Sequence, residues 1–101
     1  MPTQLAKCTP LGHAFWSTNA STAKSFATAT TSGTASTVGV LKVYVSADTA
    51  IRFYLDRTSP SQNEGFPLAA NTVFVVDTDP GGFRFITQGA VGNVYAEFVG
   101  A

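Results

Sequence analysis

A single cysteine, Cys8, stands in the 101 residues of this chain, so neither an intrachain disulfide nor a cysteine-cluster zinc site can form. Histidine is equally scarce, with His13 alone. Charge is sparse in both signs. Six basic and six acidic residues cancel to a formal net charge of zero, and charged residues make up only 12% of the chain. Nucleic-acid binding and docking on anionic membranes both need a surplus of Lys and Arg, so the expected partners include neither. A surface so weakly charged favours association, which points to self-association or incorporation into an assembly. No apolar run approaches transmembrane length. The opening Met1-Pro2-Thr3-Gln4 lacks the charged start and apolar run of a signal peptide, and the triplet Asn19-Ala20-Ser21 has no secretion signal to support its glycosylation pattern. The expectation is a protein made and folded in a cytoplasm.

A helical stripe is missing too; what is present has a period of two. VGVLKVYVS, from Val38, places Leu41, Val43 and Val45 on one face and Val40, Lys42 and Tyr44 on the other. AIRFYLD alternates Ile51, Phe53 and Leu55 with Arg52, Tyr54 and Asp56. One polar face and one apolar face define a half-buried antiparallel strand, and the turn at Ala47-Asp48-Thr49 predicts a hairpin between the two runs. Residues 57–71 read as a long surface loop that Phe66 and Leu68 pin to the core. Strands follow at Thr72–Asp77, at Phe83–Thr87 and over VYAEFV, where Val94, Ala96 and Phe98 alternate with Tyr95, Glu97 and Val99. Upstream, the Ser/Thr/Ala-rich stretch 17–37 suits either a low-complexity linker or an edge strand, and strand plus loop is favoured. Its weak strand alternates Lys24, Phe26 and Thr28 with Ala23, Ser25 and Ala27, before a turn at Ser32-Gly33. Short strands with regular turn signals predict an all-β fold of six to eight strands. The expected form is one antiparallel β-sandwich, jelly-roll-like, or a small barrel. It spans 1–101 as a single domain, with 1–37 an N-terminal region that is partly extended or flexible.

The densest polar cluster is FVVDTDPGGFRF, residues 74–85. Asp77 and Asp79 resemble the start of a calcium loop, but calcium needs six to eight oxygens and no bidentate Glu follows at the required spacing. No helix follows Pro80-Gly81-Gly82 to make a phosphate-binding loop. Pro80 and Gly81 instead suit a type II turn, with the two aspartates solvating it and the register of Val73–Val76 against Phe83–Ile86 set by it. No metal or cofactor is expected. Catalysis by Cys8 and His13 would require spatial adjacency and an orienting partner, which nothing in the sequence marks, so no enzyme is expected. Arg52 and Arg84 are candidates for cross-strand pairing with Asp56, Asp77 or Glu97. Trp16, Tyr44, Tyr54 and Tyr95 suit either a sugar-binding platform or packing against another sheet or subunit, and packing is favoured because Tyr joins apolar area to a polar tip.

From Lys42 onward, about the last three fifths of the chain, the order of motifs resembles small tailed-bacteriophage virion proteins of the head decoration or cement type. The matching positions are Ala47, Asp48, Ile51, Arg52 and Phe53, then Pro67, Leu68, Ala69, Ala70 and Asn71, then Pro80-Gly81 and Val94-Tyr95-Ala96. The resemblance implies a non-enzymatic β-sandwich carried in many copies on a capsid surface, with the major capsid protein and sister copies as partners. The candidate interface is then Phe15, Trp16, Tyr44, Tyr54, Phe66 and Tyr95, with Phe15 and Trp16 anchoring an N-terminal segment across a neighbour. A sugar-binding module and another virion component, such as a tail or fibre protein, are the alternatives.

Overall fold

A computed structural model of the protein describes residues 9–19, 21–28, 30–35 and 39–100. Cys8 and Val38 lie outside them. The described chain forms nine strands: β1 Thr9–Thr18, β2 Lys24–Ser25, β3 Ser32–Gly33, β4 Val40–Ala47, β5 Ile51–Tyr54, β6 Phe66–Leu68, β7 Phe74–Val76, β8 Arg84–Thr87 and β9 Gly92–Gly100. They make a five-stranded sheet in the order β3-β1-β9-β4-β7 and a four-stranded sheet in the order β2-β8-β5-β6, with all pairs antiparallel.

With the two-residue β3 set aside, the first strand pairs the last, β1 with β9. Moving inward along the chain, β2 pairs β8, β4 pairs β7 and β5 pairs β6. A chain folded back on itself and then rolled so that successive strand pairs alternate between two sheets is a jelly roll. The β-sandwich expected from the strand pattern is what the protein forms.

The expected hairpin between the VGVLKVYVS and AIRFYLD runs is absent, because β4 and β5 lie in opposite sheets. The reason is that both edges of β4 are occupied, one by β9 and the other by β7. Asp48 is tied to β9 at the corner. Its carboxylate accepts from the Asn93 N–H at 2.7 Å, and its own N–H donates to the Asn93 carbonyl at 3.1 Å. The predicted register of Val73–Val76 against Phe83–Ile86 fails in the same way, since β7 pairs β4 whereas β8 pairs β2 and β5.

The alternation itself holds wherever the ladder is regular. Ala14, Trp16, Val43, Val45, Ala47, Val94, Ala96 and Phe98 from one sheet meet Ile51, Phe53, Leu68 and Phe85 from the other in a single core. A register shift between Val40 and Lys42 breaks the period, so Leu41 turns outward and is 54% exposed. A bulge adds one residue and reverses the facing of everything before it. Of the predicted strand around Lys24, only Lys24–Ser25 pair. Phe26 leaves the strand and enters the core, its ring stacked on Phe83 at 5.1 Å and edge-on to Phe98 at 5.2 Å.

Candidate functional site

The ten residues of β1 run beside β9 along their whole length, so the N-terminal part of the described chain is sheet interior rather than a free arm. Successive side chains on a strand point to opposite faces. Trp16 therefore points in, 1% exposed, with its ring T-shaped to Phe85 at 5.5 Å and its indole N–H donating to the Thr28 carbonyl at 2.9 Å. It is a core residue, which corrects the expectation that it anchors an interface or floors a sugar platform. Phe15 and His13 point out.

The outer face of the five-stranded sheet is built in rows. His13 on β1 faces Glu97 on β9, Glu97 faces Tyr44 on β4, and Tyr44 faces Val75 on β7. The next row sets Phe15 opposite Tyr95, and Tyr95 opposite Ser46. The Phe15 and Tyr95 rings lie 5.4 Å apart, and the Asn93 amide donates to the Tyr95 hydroxyl at 3.2 Å, which orients the ring. Between the rows runs a shallow open groove of about 260 Å³, bounded by His13, Phe15, Tyr44, Val73, Tyr95 and Glu97, its accessible lining almost wholly apolar. Tyr44, Val73, Val75 and Tyr95 all remain exposed. No other part of the described chain covers this face.

Tyr54 does not belong to it. It lies on β5 in the opposite sheet, its ring edge-on to Phe66 at 6.0 Å. The three tyrosines therefore do not form one platform. Phe66 sits on the edge strand β6 and is 61% exposed, whereas Leu68 in the same strand is buried, so only one of the two pins the segment as expected.

The four-stranded sheet is covered on its outside by the segment after β5. Arg52 donates from Nε to the Gln62 carbonyl at 3.1 Å and from Nη1 to the Gly65 carbonyl at 2.9 Å, while Pro60 is buried. Ile86, opposite Arg52 on β8, is 3% exposed although its parity points it outward. Arg84 donates to the carbonyls of Gly81 and Phe83. Both arginines bind backbone oxygens rather than the cross-strand carboxylates expected of them.

In the FVVDTDPGGFRF loop, Pro80–Gly82 form one turn of 3₁₀-helix rather than a type II turn. Asp79 caps it: one carboxylate oxygen accepts from the Gly81 N–H at 3.0 Å and the other from the Arg57 guanidinium at 3.1 Å. The Gly81 N–H, and after it Arg57, hold the Asp79 carboxyl below the usual carboxylate range. The Asp56 carboxyl is lowered likewise by hydrogen bonds from the Thr58 side chain and backbone. Gly82, not Gly81, is the constrained glycine. A Cβ there would clash with the Leu55 carbonyl oxygen, and the Gly82 carbonyl accepts from the Arg57 N–H at 2.9 Å. The need is close backbone approach, not a positive φ. Asp77 is exposed and takes no part in the cap. Among the described residues, no three His, Cys, Asp or Glu side chains are grouped to hold a metal ion.

Sequence reasoning picked out Phe15, Tyr44 and Tyr95 on the open face, and missed that His13, Glu97, Val73 and Val75 complete it. The signal for His13 and Phe15 is the alternation of Ala14, Trp16 and Thr18 with His13, Phe15 and Ser17, which Pro10 and Gly12 obscure. The chain matches no protein-family model, no curated protein and no solved structure at a significant level.

Proposed function

We propose that this protein is a non-enzymatic structural component of a bacteriophage virion, a capsid decoration or cement protein that binds the major capsid protein and stabilises the head. The observation that carries the reading is the open outer face of the five-stranded sheet, where Phe15, Tyr44, Tyr95 and Val73 surround an apolar groove and Val75 is exposed beside it. Aromatic anchors in such a setting, with His13 and Glu97 as polar neighbours in the adjoining row, have the make-up of a protein-docking surface. The near absence of charge and the resemblance in motif order from Lys42 onward support the same role. On a capsid, modest contacts repeated over many symmetric copies add up to firm attachment.

The sugar-binding alternative loses its footing. Trp16 is interior, Tyr54 is on the other sheet, and the groove offers few of the polar groups that a sugar ring needs.

The test is binding of purified protein to empty capsids, with mass spectrometry of intact virions giving its stoichiometry against the major capsid protein. A Phe15→Ser/Tyr95→Ser variant is expected to remain folded and lose capsid binding. Absence of the protein from purified virions, together with no capsid binding, would overturn the reading. A stoichiometry far below that of the major capsid protein would place it in a tail or fibre instead.

A further inference from the structure

Four strands form the edges of the two sheets, and they are not equally protected. β3 and β2 are two residues long each, and β2 carries Lys24. β6 contains Pro67, which has no N–H to offer a further strand. β7, Phe74-Val75-Val76, is short as well at three residues, but it carries neither a charge nor a proline. It lies within a run from Phe66 to Val76 that contains no charged residue and no glycine. Charged side chains, proline and extreme shortness are the usual means by which an edge is kept from pairing with another chain.

The side chains along this margin are also exposed. Phe66, Val73, Val75 and Tyr44 make up half of the large apolar side chains left exposed in the described chain. Phe66 and Phe74 both pack on Phe53, with ring centroids 5.9 and 4.6 Å away, so the β6 and β7 edges converge on the same open side of the sandwich.

We propose that the β7 edge is a self-association site, at which a second copy of this chain adds its own β7, antiparallel, across a two-fold axis centred on Val75. Like strands paired antiparallel present the same groups to each other, so one edge is complementary to itself. Val75 then meets its own counterpart, Phe74 meets Val76, and Val73 meets Asp77. Within the paired segment 73–77 the only charges, the two Asp77 carboxylates, fall at opposite ends of the contact and do not repel across it. The two five-stranded sheets become one continuous sheet, and their outer faces lie on the same side. A molecule with zero net charge brings no overall repulsion to the pairing. The inference does not rest on the virion reading, since it concerns the protein alone in solution.

Sedimentation equilibrium over a wide concentration range tests it. The expected result is a reversible dimer of twice the 10.5 kDa chain mass that grows no further, because a two-fold contact closes. Val75→Lys sets two like charges opposite each other and is expected to weaken the dimer about tenfold or more, whereas Val91→Lys, at a more exposed valine away from the edge, leaves it unchanged. Should Val75→Lys disturb folding, hydrogen exchange on the unaltered protein decides. Amides of β7 gain protection as concentration rises, and those of β1 and β9 do not. A protein monomeric at every concentration overturns the proposal. So does a dimer that survives Val75→Lys with β7 exchange unchanged, or one that protects β1 and β9 instead.

Discussion

The two sheets of this sandwich treat their outer faces differently. The four-stranded sheet covers its own. Arg52 reaches up from β5 to hold the carbonyls of Gln62 and Gly65, the segment closes with Pro60 buried, and Ile86, opposite Arg52, is buried too. Among the described residues no such segment covers the five-stranded sheet, which leaves Phe15, Tyr44, Val73 and Tyr95 around a groove. The difference is instructive because an outward-facing isoleucine and an outward-facing tyrosine both present apolar area to water, the tyrosine with a hydroxyl that eases the problem. One is solved within the chain. The other is left open on the described chain, and the proposed docking role rests on that asymmetry.

The comparison can be broken most severely at the layer behind the open face. Trp16→Ala is expected to cost roughly 3–5 kcal/mol in urea unfolding, since it empties the contact with Phe85 and Phe26. Its neighbour Phe15→Ala is expected to cost only about 1 kcal/mol, mainly the lost ring pair with Tyr95. Equal losses would mean that the outer face belongs to the core. On the covered side, Arg52→Ala is expected to cost about 1–2 kcal/mol and to expose residues 57–65 to limited proteolysis, because the two loop carbonyls lose their donor. Unchanged cleavage would show that Pro60 alone holds the loop. A gain is expected at Thr87, whose buried hydroxyl has no partner among the described residues. Thr87→Val keeps the shape, removes that group, and should raise stability by about 1 kcal/mol in the same assay.

The smallest effect is electrostatic. The Asp79 carboxyl is lowered in the folded protein, so its contribution is fully present above its unfolded pKa and is lost as pH falls through the lower folded value. Asp79→Asn should flatten that part of the acid limb in a pH series of unfolding midpoints. An identical limb in both proteins would show that the clasp between Arg57 and Asp79, exposed as it is, adds nothing measurable.

How much of this was legible beforehand depends on where a residue sits in its ladder. Val43, Val45, Ile51, Phe53, Val94, Ala96 and Phe98 were readable as core because a regular strand keeps period two. Leu41 was not, because the bulge before Lys42 reverses its face. β1 was missed as a strand since Pro10 and Gly12 look like breakers, although the register simply shifts between them. The Pro80-Gly81-Gly82 turn was located correctly but mistyped. Its glycine requirement comes from the Leu55 carbonyl, a group far away in sequence.

The sequence by itself determined that this is a β protein with alternating strands, breaks at Asp48 and Pro80, and almost no charge. Those properties are local, set by side-chain size and backbone preference over a few residues. Only the tertiary structure decided which strands share a sheet, because pairing depends on which edges remain free once β9 has taken its place between β1 and β4. That choice sent Trp16 inward and Phe15 outward to meet Tyr95, and left β7 as the edge least protected against another chain.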